Sequence, residues 1–336
     1  VWYQNWCDEG GARAALKVHY DELVKRKQIG FITFHQSFSY EEFIEGIRAE
    51  VDEESKELTY KVDDGIFKRL VEIANQKTLV SSSEGIADLS GRKVWKMSLG
   101  NTQNEERYIY DECIENNYVA LGYGGSIDFS GFDNRASLRE KYSQVTGEGY
   151  DGYTFKVNAV DTFKNKMKTG DIVIISDGNH KFRAIGEITG EYEFLEIEER
   201  SNYRQIRAVK WHRVFDNSLP VELIINKNFS QMTLYRLGDS IIKQENLKEY
   251  LTPQANADET IKKNYVLIID EINRGNIASI FGELITLIEP DKRAGASDAQ
   301  ATILPYSKEE FSVPNNLYLI GTMNTSDHSL TSIDIA

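Results

Sequence analysis

The residues Tyr265-Val-Leu-Ile-Ile-Asp-Glu-Ile-Asn-Arg274 constrain this chain most. Tyr265 to Ile269 form an unbroken apolar and aromatic run, which suits a strand buried on both faces of a parallel sheet. Asp270 and Glu271 follow at its C-terminal end, the edge where open α/β sheets place their ligands. There one acid can hold the shell of a Mg²⁺ ion while its neighbour orients and polarises a water for attack on a γ-phosphate. The plainer alternative is a buried strand ending in two solvated acids, and the continuation Asn273-Arg274 weighs against it.

A second run of this kind, Asn316-Leu-Tyr-Leu-Ile-Gly-Thr-Met-Asn324, again ends in polar groups and is followed by Asp327-His328-Ser329. Between the two, Ile280, Phe281, Leu284, Leu287 and Ile288 share one face of a helix expected over 277–288. The two strands are therefore expected to be parallel neighbours joined by a right-handed crossover. Upstream, residues 12–27 read as an amphipathic helix and 29–34 as a short strand. Ser39 with Glu42 forms a capping box that opens a helix expected over 40–47. Residues 50–64 read as a loop or hairpin in which Leu58, Tyr60 and Val62 alternate, and 65–75 as a further helix.

The composition shifts at Ser81-Ser-Ser-Glu-Gly85, and strands dominate beyond it. Residues 94–99, 118–123, 171–176, 182–189 and 206–215 carry strand patterns, with Asp177-Gly178 as a hairpin turn. These predict a small, mostly β barrel with a few helices over 93–215. The expected division is a core at 1–80, a linker at 81–92, the barrel at 93–215, a helical connector at 216–262, and the returning core at 263–336.

The chain has 336 residues, enough for two ordinary domains, and 40% of them are hydrophobic. Neither a membrane-span length of apolar residues nor a secretory leader pattern occurs. Cys7 and Cys113 are the only cysteines, which excludes a disulfide framework and a Cys-ligated zinc site; a cytoplasmic location is expected. A net charge of −14 argues against coating nucleic acid by charge alone. Residues 94–215 are nearly balanced, with about sixteen Lys and Arg against nineteen acids, so any nucleic-acid contact is expected there.

With these residues in view, the chain resembles the McrB-like AAA+ NTPase subunits of modification-dependent restriction systems. Four blocks carry the resemblance: 31–46, Asp64-Gly-Ile-Phe67, Asp-Glu-Ile-Asn-Arg through Glu283, and Gly321-Thr-Met-Asn-Thr-Ser-Asp327. The resemblance implies a P-loop-type parallel sheet, Mg²⁺, GTP or ATP, and a Walker B element in which Asp270 binds Mg²⁺ and Glu271 activates water. It further implies that Asn273 helps to position that water, that Asn324 senses the γ-phosphate, and that Asp327 lies near the catalytic interface. The family usually has Arg after that Asp; His328 stands here, and a histidine is largely neutral near pH 7. No glycine is followed by lysine, so the phosphate-cradling Gly-Lys loop is absent. By family order that loop belongs before Val1 and an Arg-rich segment after Ala336. The chain is expected to be a fragment that does not hydrolyse nucleotide by itself.

The interruption at 93–215 resembles an EVE domain, a PUA-related barrel similar to YTH readers of methylated bases. Carrying it are 93–99, Ala120-Leu-Gly-Tyr-Gly124, Asp128-Phe-Ser130, 167–174 and 184–192. That implies a pocket for a rotated-out base, stacked on aromatic rings and read along its edge. Trp95, Tyr123, Phe129, Tyr192 and Trp211 are the aromatic candidates, Asp128 and Ser98 the edge readers, and Lys164, Lys166 and Lys168 the candidates for phosphates. Each aromatic is alternatively a barrel-core side chain. The implied partners are DNA with modified bases such as a modified cytosine, a separate McrC-like nuclease, and further copies of the chain in a ring, expected as a hexamer. Two other functions stay open: a non-catalytic modified-base or RNA-binding module on an AAA+ scaffold, and an AAA+ remodelling ATPase outside restriction.

Overall fold

The structure is a computed structural model that describes residues 13–51, 58–76, 78–81, 85–86, 88–100, 106–147, 154–197, 201–252 and 263–324. The chain divides into two compact units, Val1–Asn75 with Thr260–Ala336, and Gln76–Glu259. The second is inserted into the first.

The first unit opens with α1 (Arg13–Lys25) and β1 (Ile29–Thr33). Ser39 and Glu42 make the expected capping box, but the helix they open, α2, is only Tyr40–Phe43. Residues 45–47, read as its last turn, instead begin β2 (Glu45–Val51), which pairs antiparallel with β3 (Leu58–Asp64). The reason is local. Glu45 is fully buried and held by Lys68 of α3 (Ile66–Asn75), and Gly46 passes so close to Glu41 that a Cβ there would lie 2.6 Å from the Glu41 Cβ. Phe34, Phe38, Phe43, Phe67 and Phe281 form the aromatic centre of this unit, with Phe43 stacked on Phe67 at 5.1 Å and Phe281 at 4.8 Å from Phe43.

Gly65 closes the ribbon against α2. Its N–H donates to Ile44 O at 2.6 Å, and an added Cβ would sit 2.2 Å from the Phe43 carbonyl carbon. Backbone cannot swing aside as a side chain can. Gly65→Ala is therefore expected to destabilise this unit by about 1–3 kcal/mol, read as a lower urea midpoint. An unchanged midpoint would mean that the crossing is looser than described.

The second unit begins at β4 (Thr78–Ser81). It continues through β5 (Val94–Ser98), α4 (Arg107–Glu115), β6 (Tyr118–Leu121), α5 (Arg135–Thr146) and α6 (Thr154–Asp161). Then come β7 (Ile172–Asp177), the long strands β8 (Lys181–Phe194) and β9 (Gln205–Pro220), β10 (Leu234–Arg236) and α7 (Gln244–Leu251). Seven strands form one sheet in the order β10-β5-β7-β8-β9-β4, with β6 also on β9. All these pairings are antiparallel except β5 with β7. Three register shifts between β8 and β9 mark bulges, which bend a strand and raise its twist. Gly178 takes φ +62° in the expected Asp177-Gly178 turn between β7 and β8. Residues 216–252, read as a connector, belong to this sheet and its packing: β9 runs on to Pro220, and β10 pairs with β5.

The chain returns to the first unit with β11 (Tyr265–Asp270), followed by α8 (Ile277–Phe281), β12 (Thr302–Ile303), β13 (Glu310–Phe311) and β14 (Leu317–Gly321). The helix expected over 277–288 stops at Phe281 because Gly282, at φ +53° and ψ −132°, takes a conformation closed to a helix; a 3₁₀ turn follows over Gly282–Ile285. β11 lies between β1 and β14, parallel to both. The fold class is thus as the sequence indicates, α/β with a parallel core interrupted by a β-rich unit. Among the described residues, no helix is long and apolar enough to cross a membrane.

Candidate functional site

Asp270 ends the central strand of the parallel sheet, and its carboxylate Oδ1 accepts a hydrogen bond from the Thr322 hydroxyl at the end of neighbouring β14. Parallel register makes this meeting inevitable: Ile269 stands opposite Gly321, so the residues just beyond both strands share one edge. Thr322 N–H donates to Ile269 O and Ile272 N–H to Thr322 O, each at 2.9 Å, which knits the two strand ends together.

Glu271 leaves the strand in the left-handed conformation, φ +53° and ψ +44°. For a residue with a Cβ this costs roughly 1–2 kcal/mol, and such strain persists where surrounding structure imposes it, commonly at working sites. The turn directs the chain into a short 3₁₀ segment, Ile272–Arg274, and Arg274 Nε donates to Glu271 Oε2 at 3.1 Å. Within that turn, the Asn273 side-chain oxygen is buried without a hydrogen-bond partner. A buried amide oxygen left unpaired is costly, so its natural partner is a donor not contributed by the described residues. Asn324 is exposed three residues past β14, at the same edge. Asp327 and His328 lie outside the described residues.

The base-reading candidates of the second unit are placed very differently from one another. Trp95, Phe129 and Trp211 belong to its buried core, each at most 4% exposed. Their indoles are satisfied internally: Trp95 Nε1 donates to Asp171 Oδ2 at 2.8 Å and Trp211 Nε1 to Cys113 O at 3.4 Å. Tyr192 is an internal strut, its hydroxyl donating to Gln205 Oε1 and accepting from Phe129 N–H; burial pushes that phenol's pKa up. Gln205 in turn donates to Gly125 O and Ile127 O at 3.2 and 3.0 Å, fixing the loop that carries Asp128. Asp128 is exposed, and its Oδ1 caps Ser130 N–H at 2.8 Å. Lys164 and Lys166 are engaged by Asp133 and Asp161 at 2.7 and 2.9 Å.

Tyr123 and Ser98 do come together, through Thr233. The Tyr123 hydroxyl lies 3.2 Å from Thr233 Oγ1, and Ser98 N–H donates to Thr233 O at 2.9 Å. The Tyr123 ring meets that of Phe155, 39% exposed, edge-on at 5.3 Å. Ser98 Oγ is 3.1 Å from Ser176 Oγ and accepts from Lys96 Nζ at 2.8 Å; the same ammonium donates to Met232 O at 2.7 Å. Lys96 is buried, and burial pushes its pKa down to about 8. Sequence reasoning missed Lys96, Phe155, Ser176 and Thr233. Lys96 alternates with Trp95 and Met97 and so reads as a solvent-facing residue; in the structure its ammonium lies 5.9 Å from the centre of the Tyr235 ring on β10 and bonds Met232 O, contacts that no local signal announces.

Residues 227–336 match the AAA domain of the dynein-related subfamily. Over 80 residues the chain is 46% identical to the type IV methyl-directed restriction enzyme EcoKMcrB subunit of Escherichia coli K12. The chain is thus similar to McrB-type AAA+ proteins. Over 83 residues it is also 35% identical to the type II restriction enzyme BsuMI component YdiS of Bacillus subtilis 168. These alignments cover 24% and 22% of this chain, and 17% and 24% of the two relatives. Residues 95–238, from β5 through β10 of this McrB-like chain, match a domain of unknown function, DUF8426. The YTH domain of Zygosaccharomyces rouxii MRB1, solved with N6-methyladenosine RNA, aligns to 52% of the chain and 95% of its own length. Its TM-score of 0.28 at 13% identity is too low to establish a shared fold.

Proposed function

We propose that this McrB-like chain belongs to a nucleotide-hydrolysing motor subunit of a restriction system, using GTP or ATP, whose inserted unit reads a modified base in DNA. The observation that carries the proposal is the pair Asp270-Glu271 at the C-terminal edge of the central parallel strand, tied to Thr322 and facing the edge that also holds Asn324. The residues fit a magnesium nucleotide: Asp270 and Thr322 would hold the ion's shell, as magnesium takes one or two carboxylates and completes its sphere with water and phosphate. Bound there, the ion would neutralise charge developing on the phosphates. Glu271 would then orient and accept a proton from the attacking water, and the unpaired Asn273 oxygen supplies an acceptor for a second hydrogen of such a water. Asn324, able to donate and accept, would register the γ-phosphate. Asp327 would act at the interface between copies in a ring, and a separate McrC-like nuclease would cut the DNA.

In the inserted unit the reader is proposed at Tyr123 and Phe155, with Ser98 and Thr233 as edge contacts, because these partly exposed rings and hydroxyls share one locality. Trp95, Phe129 and Trp211 are core instead, each of them closely packed. The test uses full-length protein with oligonucleotides differing only in a modified cytosine. Preferential binding of the modified strand is expected, weakened about tenfold or more by Tyr123→Ala, since base stacking on an aromatic is worth about 1–3 kcal/mol. Equal, weak binding of both strands would retire the base-reading role and leave the nucleotide site untouched.

A further inference from the structure

The ribbon of β2 and β3 carries an apolar face that no described residue covers. Register sets Ile47 opposite Val62 and Ala49 opposite Tyr60, with Leu58 two residues from Tyr60 along β3. Residues two apart in a strand share a face, so these side chains form one continuous strip. Ile47 is 59% exposed, Leu58 56%, Tyr60 70% and Val62 39%. The other face carries the Arg48–Asp63 ion pair at 3.2 Å. A two-stranded ribbon is marginal in water, and solvating its apolar side chains makes it more so. A contiguous apolar strip on an otherwise polar ribbon marks a surface of interaction.

The base of the ribbon is anchored firmly. Glu45 and Asp64 form its first paired rung, and both carboxylates hold the buried Lys68 ammonium, at 2.9 and 2.8 Å. Glu309 holds the same ammonium at 2.9 Å. The strip is therefore presented from a fixed root.

Charge selects the partner. Among the described residues, Glu41, Glu42, Glu309 and Glu310 are exposed around the root. Such a surround repels a polyphosphate and attracts a cationic chain. Both outer edges of the ribbon are unpaired among the described residues, so an extended segment can add as a third strand. We propose that this ribbon docks a basic protein segment in which apolar residues alternate with Lys or Arg. Its apolar side chains cover Ile47, Tyr60 and Val62, and its cations meet the surrounding acids. The proposal is independent of nucleotide hydrolysis.

The test is fluorescence anisotropy of full-length protein with three labelled peptides about ten residues long: alternating Val and Lys, alternating Val and Glu, and alternating Ser and Lys. The Val/Lys peptide is expected to bind about tenfold tighter than either control. Ile47→Ser/Tyr60→Ser should reduce its affinity about tenfold or more without moving the nucleotide-binding constant. Tyr60→Ser alone, at the most exposed position, supplies the same comparison if the double variant folds poorly. Equal binding of Val/Lys and Ser/Lys, or undiminished binding by Tyr60→Ser, would overturn the proposal. So would two other results: competition for this face by duplex DNA, or a concentration-dependent dimer of wild-type protein that the variants abolish, which would assign the strip to a second copy.

Discussion

Glu271→Gln in the full-length protein is expected to lower nucleotide turnover by about 10²–10⁴-fold, the range that a positioned general base contributes, while nucleotide affinity stays near its original value. The argument rests on what the change leaves intact. Glutamine has nearly the shape of glutamate, so the left-handed backbone at φ +53° is equally strained in both and the turn into Ile272–Arg274 persists. The Arg274 contact loses its charge, but Arg274 is 45% exposed, and exposed pairs contribute little. Asp270, still hydrogen-bonded by Thr322, keeps its place for magnesium. Only the proton acceptor for water is gone, so the loss should fall on kcat and not on binding. The measurements are steady-state hydrolysis and equilibrium binding of a fluorescent nucleotide. Turnover within a few-fold of wild type would remove Glu271 from the role proposed for it, and lost binding would place it in nucleotide recognition.

The contrast between the two units shows what a sequence can carry. Tyr265–Arg274 was legible because its apolar run is unbroken and the acids at its end need no distant partner to be noticed, although in the structure its burial alternates, with Val266 and Ile268 only half-buried. Its neighbour β14 reads the same way in the sequence, yet Tyr318 is 50% and Ile320 49% exposed, so there the apolar run overstates the burial. The capping box at Ser39 was also real, yet it did not determine helix length; Glu45 did, by turning inward to a lysine twenty-three positions away. Trp95, Phe129 and Trp211 were ambiguous in principle, since an aromatic in a strand or a loop looks alike in sequence whether it lines a pocket or fills a core. Their separation from Tyr123 required the pairing of β5, β7, β8 and β9. The buried cations Lys68 and Lys96 show the limit most clearly. A sequence declares a charge but not its surroundings, and one of these ammonium groups meets three carboxylates while the other meets a hydroxyl and a carbonyl.

Lys68→Met is expected to destabilise the first unit by about 3–5 kcal/mol at neutral pH, the cost typical of removing one partner from a buried ion pair. Lys68 is 3% exposed and Glu45 fully buried. Glu45 Oε2 accepts from Lys68 Nζ at 2.9 Å, and its Oε1 accepts the N–H groups of Tyr306 and Ser307, each at 2.9 Å. Without the ammonium, Glu309 can turn to water, being 61% exposed, but Glu45 cannot leave. Burial by itself would raise the Glu45 pKa; the Ser307 donor and Lys68 overcome it and hold the carboxyl below its usual range. Its contribution to stability is thus present above the unfolded value, near 4.3, and is lost as pH falls through the lower folded value. For Lys68, burial favours the neutral amine, yet Asp64, Glu309 and Glu45 win and raise its pKa. That contribution is complete below the unfolded value, near 10.4, and is lost only as pH rises beyond it. In the variant, Glu45 keeps its burial and loses its cation, so its pKa should rise and protonation should relieve the strain. The gap between variant and wild type, measured by urea unfolding, should therefore narrow from pH 7.5 to pH 5. Adding Glu45→Gln should recover part of the loss, because a neutral amide still accepts the two N–H groups without a buried charge. A constant gap across that pH range, or no recovery in the double variant, would show that Lys68 acts through its aliphatic packing and not through the charge it shares with Glu45.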